Sequence, residues 1–285
     1  MIRLDAATVL LQWATGGLLF LWVTTRRRDV GIGYGWLMRS VFGVMAVGAA
    51  AAGAKGGHPS AGRDLASLGV AAASATALVV SVVRRRAGVA GERERTERRS
   101  ARVANMTGID RAATVVERTG PEFPPVLDAI APLVGLIGLV LAASADGGPL
   151  ALAIIRTVVG AAFLGAVSDA MLLGHWYLVQ PGLGRGPLLE LVRWTAIMWP
   201  LEILALLWPT GMISVLNGRI DDGWGGTMGW FWAACSLTTI VLCYVTRKAL
   251  EEKAYSAVMA ATGLLYLAIL TAFGTDLVAR AVLTS

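Results

Sequence analysis

Two long apolar stretches between Leu150 and Pro209 carry Arg156, Asp169, His175, Glu190, Arg193 and Glu202. Ionisable groups inside a hydrocarbon layer are costly, and the usual reasons for keeping them are proton transfer, ligand binding or ion pairing. The turn Gln180-Pro181-Gly182-Leu183-Gly184-Arg185-Gly186-Pro187 breaks helix and is short enough to make the flanking helices antiparallel neighbours. Depths along the two can therefore be compared. Arg156 and Glu202 each fall roughly 10 Å inside one end, at 1.5 Å per residue, which predicts an intramembrane ion pair. Asp169 and Arg193 fall towards the other end, and the length of an arginine absorbs the remaining mismatch, which predicts a second pair.

Asp169 and Trp176 are seven apart and share a helix face, with Ser168 and His175 as a second such pair beside it. An imidazole passes protons near neutral pH, so His175 is expected to connect Asp169 with water. Trp176 and Tyr177, with Gln180 and Arg185 in the following turn, are expected to line a site for a lipophilic, quinone-like headgroup. Asp169, His175 and Arg193 are the candidate proton-handling residues, and Trp176, Tyr177, Gln180 and Arg185 the candidate ligand-binding ones. The structural alternative is that aromatic rings sit at the interface for lipid reasons and the charges only fix helix register. Concentration favours a site, since seven of the ten tryptophans lie from Trp176 to Trp232.

What positions these residues is a membrane bundle. In 285 residues, 56% are hydrophobic and 15% charged, with a mean hydropathy of +0.65. That is too apolar for an ordinary soluble domain, and the apolar runs approach the ~20 residues that span a bilayer. The reading is all-α, a polytopic integral membrane protein with eight transmembrane helices at about 6–24, 35–54, 65–83, 126–144, 150–178, 188–208, 227–246 and 255–278. Arg39, near the start of the second, is expected to snorkel to the headgroups. His58 falls in a short outer loop and reads as a solvated loop residue.

Basic residues cluster at one set of ends, Arg26-Arg27-Arg28, Arg84-Arg85-Arg86 and Arg247-Lys248. By the positive-inside rule these are cytoplasmic, and both termini lie outside a plasma (inner) membrane. The net charge of +6 is then a topology signal and a contact with anionic lipid, and nucleic acid is not an expected partner. Residues 84–125 form a basic cytoplasmic loop, ten arginines against six acidic residues, expected to lie on lipid or to dock a soluble or membrane partner. Gly31-x-Gly33-x-Gly35 before Arg39 and Gly182-x-Gly184-x-Gly186 before Arg193 hint at a 4+4 internal repeat.

Two histidines on opposite sides of the membrane exclude a bis-histidine haem, and ligand spacings for a metal are lacking. Cys235 and Cys243 lie too far apart along one helix for a disulfide. The leading functional expectation is a haem-free membrane subunit that binds a quinone-like headgroup and handles its protons on helices five and six. The alternatives are a small-solute or ion transporter using the same charges, and a structural or assembly subunit. They differ in shape: the first needs a slot opening sideways to lipid, the second a polar vestibule, the third neither.

Overall fold

The computed structural model describes residues 4–56, 60–85, 121–145, 149–180, 183–209, 211–252 and 254–283. His58 and residues 86–120 of the basic stretch lie outside the described residues. Among the described residues the chain forms nine helices and no strand: α1 Ala6–Thr25, α2 Ile32–Lys55, α3 Ala61–Val83, α4 Leu127–Ala145, α5 Leu150–Val179, α6 Gly186–Leu207, α7 Met212–Leu216, α8 Thr227–Glu251 and α9 Tyr255–Val282. Seven of them, all but α6 and α7, are long and apolar enough to cross a membrane. The 22-residue α6 carries Glu190, Arg193 and Glu202, and α7 is a single short turn after it.

Helix ends follow local chemistry. Asp5 caps α1 by accepting from the Thr8 amide at 3.0 Å. In the loop before α8, the Asp222 carboxylate accepts from the amides of Gly226, Trp224 and Met228 at 2.8 to 2.9 Å. These donors, Gly226 foremost, hold its carboxyl below the ordinary aspartate range. Inside the helices, Thr24, Ser168, Thr195 and Thr239 donate their hydroxyls to the carbonyl four residues back, so these groups need no partner from lipid.

Successive long helices alternate in direction, so the bundle has an end near Arg26 and an end near Asp5. In each half a ring of neighbours forms, α1·α2, α2·α3, α3·α4 and α4·α1, then α5·α6, α6·α8, α8·α9 and α9·α5. The halves meet chiefly where α1 packs on α5. That crossing is backbone on backbone: a Cβ on Gly16 would stand 1.8 Å from the Ala161 carbonyl oxygen, and one on Gly165 would stand 2.1 Å from the Gly16 carbonyl carbon. Small residues are what permit such approach where apolar burial between helices gives little drive. Val44, Val79, Leu237 and Leu270 point outward and are exposed, a surface suited to lipid.

Four helices run several residues further than the apolar pattern alone predicts, among them α8, which ends at Glu251 where about 246 was expected. α3 begins at Ala61 and α9 continues to Val282, which brings Arg63 and Arg280 into helices, buried, where flanking loops were expected. α2 begins at Ile32, so Tyr34 and Arg39 both lie in its first turns.

Candidate functional site

Towards the Arg26 end, α5 presents Val158, Ala162, Gly165, Asp169, Leu172 and Trp176 at alternating spacings of four and three, one continuous helix face. Asp169 is fully buried, and neither carboxylate oxygen makes a hydrogen bond. The Tyr34 hydroxyl of α2 lies beside this carboxyl but donates to the Asp169 main-chain oxygen, at 3.5 Å. Tyr34 also faces Trp176, ring centroids 6.1 Å apart, and the Trp176 indole N–H is buried without a partner. Tyr177 is buried beside them and donates its hydroxyl to the Gly184 carbonyl.

Other expected members stand elsewhere. Arg193 is exposed on α6 and forms no ion pair with Asp169, so that predicted pair is not made. The two match in depth but not in azimuth. His175 is exposed on a different face of α5, its Nδ1 3.2 Å from the Tyr266 hydroxyl of α9. Six residues from Asp169, it is rotated about 120° away on a 3.6-residue helix, so no direct relay from His175 to Asp169 is built. Arg185 donates to the main-chain oxygens of Leu250, Glu252 and Ala254, which makes it a clasp on the α8–α9 turn. Gln180 is the C-cap of α5, its amide bonded to the Trp176 oxygen at 2.9 Å.

A second group gathers towards the Asp5 end. Gln12 of α1, Arg156 of α5, Glu202 of α6, and Asp276 and Arg280 of α9 are all at most 1% exposed. Arg280 Nε donates to Asp276 Oδ2 at 2.8 Å, and Gln12 Nε2 reaches Asp276 Oδ1 at 3.4 Å. Arg156 acts on the Glu202 charge from nearby but gives its Nε to the Ala205 carbonyl at 2.8 Å. The predicted direct pair is therefore not a hydrogen-bonded one: neither Glu202 oxygen has a partner. Gly160 leaves the space, since a Cβ there would stand 2.4 Å from Gln12 Nε2 and 2.9 Å from Asp276 Oδ1. Asp276 and Arg280 escaped the sequence reading, although an acid and a base four apart in an apolar run are a visible signal.

Other buried charges are paired, although Arg39 Nη1 keeps no hydrogen-bond partner. Arg39 does not snorkel: it makes a two-point contact with Asp128, both distances 2.7 Å, and stacks on Phe123 at 4.4 Å. Thr25 donates to the same carboxylate at 2.9 Å. Arg63 is held by Asp5 and Asp64.

The same α5 face borders an apolar cavity of about 340 Å³. Thr15, Gly16, Leu19 and Trp22 of α1 form its floor, Ala129 to Leu139 of α4 one wall and Val158 to Ala162 of α5 the other. Leu133 and Leu136 at its rim are exposed on the outside of the bundle, so the cavity opens sideways between α4 and α5. It is about twice the ~150 Å³ of an apolar cavity known to take up benzene. Among the described residues no three His, Cys, Asp or Glu side chains converge as a metal site. Compared with protein-family models, curated proteins and solved structures, the chain matches none.

Proposed function

We propose that this is an eight-span plasma-membrane protein of two four-helix halves that takes a lipophilic molecule with a quinone-like headgroup from the bilayer and exchanges protons with it through Asp169. The apolar cavity opening sideways to lipid carries the reading. Its α5 wall continues along one helix face from Ala162 to Asp169, seven residues or about 10 Å, and on to Trp176. The apolar part of the ligand occupies the cavity and its polar end lies along the face towards Asp169 and the free indole N–H of Trp176.

Asp169 suits a proton-exchanging role because a carboxylate with no charged partner, and only the Tyr34 hydroxyl beside it, is poorly stabilised in a bundle interior, while its neutral acid is not. Arg193 and His175 are set aside as its direct partners on this reading. The span assignment for α6 draws on its 22 residues, about 33 Å of helix, and on its place in the second ring of neighbours. The matching rings support a 4+4 repeat. The basic ends, Arg26 to Arg28 among them, are proposed to face the cytoplasm, with residues 84–125 available there to a protein partner.

The test uses a photoreactive prenyl quinone in nanodiscs. Wild-type protein is expected to be labelled on α4 and α5 between Ala129 and Ala162, with Ala162→Trp reducing labelling at least several-fold. Labelling that ignores the filled cavity would sink the proposal. A second reading, a solute or ion transporter, is favoured by the buried Gln12, Arg156, Glu202, Asp276 and Arg280 group, which draws on both halves. It predicts pH-driven solute flux in proteoliposomes that Ala162→Trp leaves intact.

A further inference from the structure

The Glu202 side chain is fully buried, and its carboxyl lies against that of Asp276 at hydrogen-bonding range. Two ionised carboxylates are both acceptors, which is why neither Glu202 oxygen counts a partner. The contact becomes a hydrogen bond only when one oxygen carries a hydrogen. The other claims on Asp276 are already met, by Arg280 at 2.8 Å and Gln12 at 3.4 Å. Glu202 is thus the group left to bring the proton. Across the packed elements it faces Asp276 and Arg280 on α9, Arg156 on α5 and the neutral Gln12 amide on α1.

We propose that Glu202 and Asp276 hold one exchangeable proton between them, and that its release transfers Glu202 from Asp276 to Arg156. In the loaded state Glu202 is a carboxylic acid donating its O–H to Asp276, whose Oδ2 also accepts from Arg280 Nε. On release the Glu202 O–H bond breaks, its electron pair stays on the carboxylate, and the proton passes to water at the Asp5 end. Two carboxylates cannot sit in contact while both are charged, so Glu202 turns to the guanidinium of Arg156. A metal cation is the poorer occupant, since two guanidinium groups already surround the site. This inference is independent of the ligand assigned to Asp169.

Infrared spectroscopy of the full chain in nanodiscs reads the acid directly, through the C=O stretch of a protonated carboxyl group. With Asp169→Asn as background, to remove the other buried acid, a titrating carboxyl band is expected, and it should vanish in the added presence of Glu202→Gln. A pH-sensitive dye should report one proton fewer released per chain from that variant on an alkaline jump. Glu202→Asp, one methylene shorter, serves as a second variant and should shift the band to lower pH by drawing the acid away from Asp276. A band unchanged by Glu202→Gln, or the absence of any such band in the background protein, would overturn the proposal. So would displacement of the band by sodium or lithium at constant pH.

Discussion

Asp128 and Glu202 are equally hidden from solvent, one in each half of the bundle, yet they are treated in opposite ways. Asp128 receives two hydrogen bonds from Arg39 and one from Thr25, so all that its charge requires is supplied within the first half. Glu202 has acidic and basic neighbours and no hydrogen bond, and Asp169 in the same half has none either. A charge that is fully answered specifies register and packing. One left unanswered inside a membrane has no such use and is the better candidate for chemistry.

The largest effect should come from opening the Arg39–Asp128 pair. Arg39→Met leaves Asp128 buried with one hydroxyl donor, a loss of about 3–5 kcal/mol as for other broken buried pairs, readable as a lowered unfolding midpoint in detergent. Replacing both partners with leucine should restore most of it. If Arg39→Met is tolerated without loss, the contrast between the halves falls. Next in size, Gly165→Ala forces a Cβ into the Gly16 backbone and should cost about 1–3 kcal/mol, the range for overpacking. Asp169→Asn sharpens the contrast from the other side. With no ion pair to lose, and an amide oxygen still offered to the Tyr34 hydroxyl beside it, stability should stay within about 1 kcal/mol, while proton exchange with a bound quinol, followed by stopped-flow, should be lost. A collapse in stability would class Asp169 with Asp128.

The smallest effect concerns Asp222, outside the bundle. Its carboxyl is held below the ordinary aspartate range by the amides at the start of α8, foremost Gly226. A lowered value in the folded state means that the contribution is complete above the unfolded value and fades as pH falls through the folded one. Protection against hydrogen exchange at Trp224, Gly226 and Met228, relative to the free-peptide rate at the same pH, should therefore fall only once the pH drops below the ordinary aspartate range. In Asp222→Ala that protection should be low at every pH.

The sequence makes depth legible and leaves azimuth hidden. Counting residues places Asp169 level with Arg193, and Arg156 level with Glu202, because helical rise is constant. Whether two level side chains meet depends on how each helix is rotated, and that is set by where backbones come close, as at Gly16 and Gly165. Arg193 and His175 were misread for this reason. Arg39 was misread because a position one turn inside a membrane end suits both snorkelling and pairing, and only Asp128 opposite decides. Asp276 and Arg280 were legible in principle, since four residues put them on one face, but the apolar pattern ends at about 278 and the last turn of α9 was taken for tail. The cavity has no sequence signature: it arises where small residues on α1 and α5 face a wall of α4.

Where α1 crosses α5, the main chains touch with no side chain between them. α5 cannot turn on its own axis at that point, because either neighbour of Gly165, Leu164 or Ala166, would swing a side chain into the Gly16 backbone. Nor can it slide by one residue, since the same two side chains carry the bulk that the gap refuses. The crossing works as a keyway that indexes the two halves against each other. The positions of Asp169 on one side of it and Glu202 on the other are thereby set from a common origin.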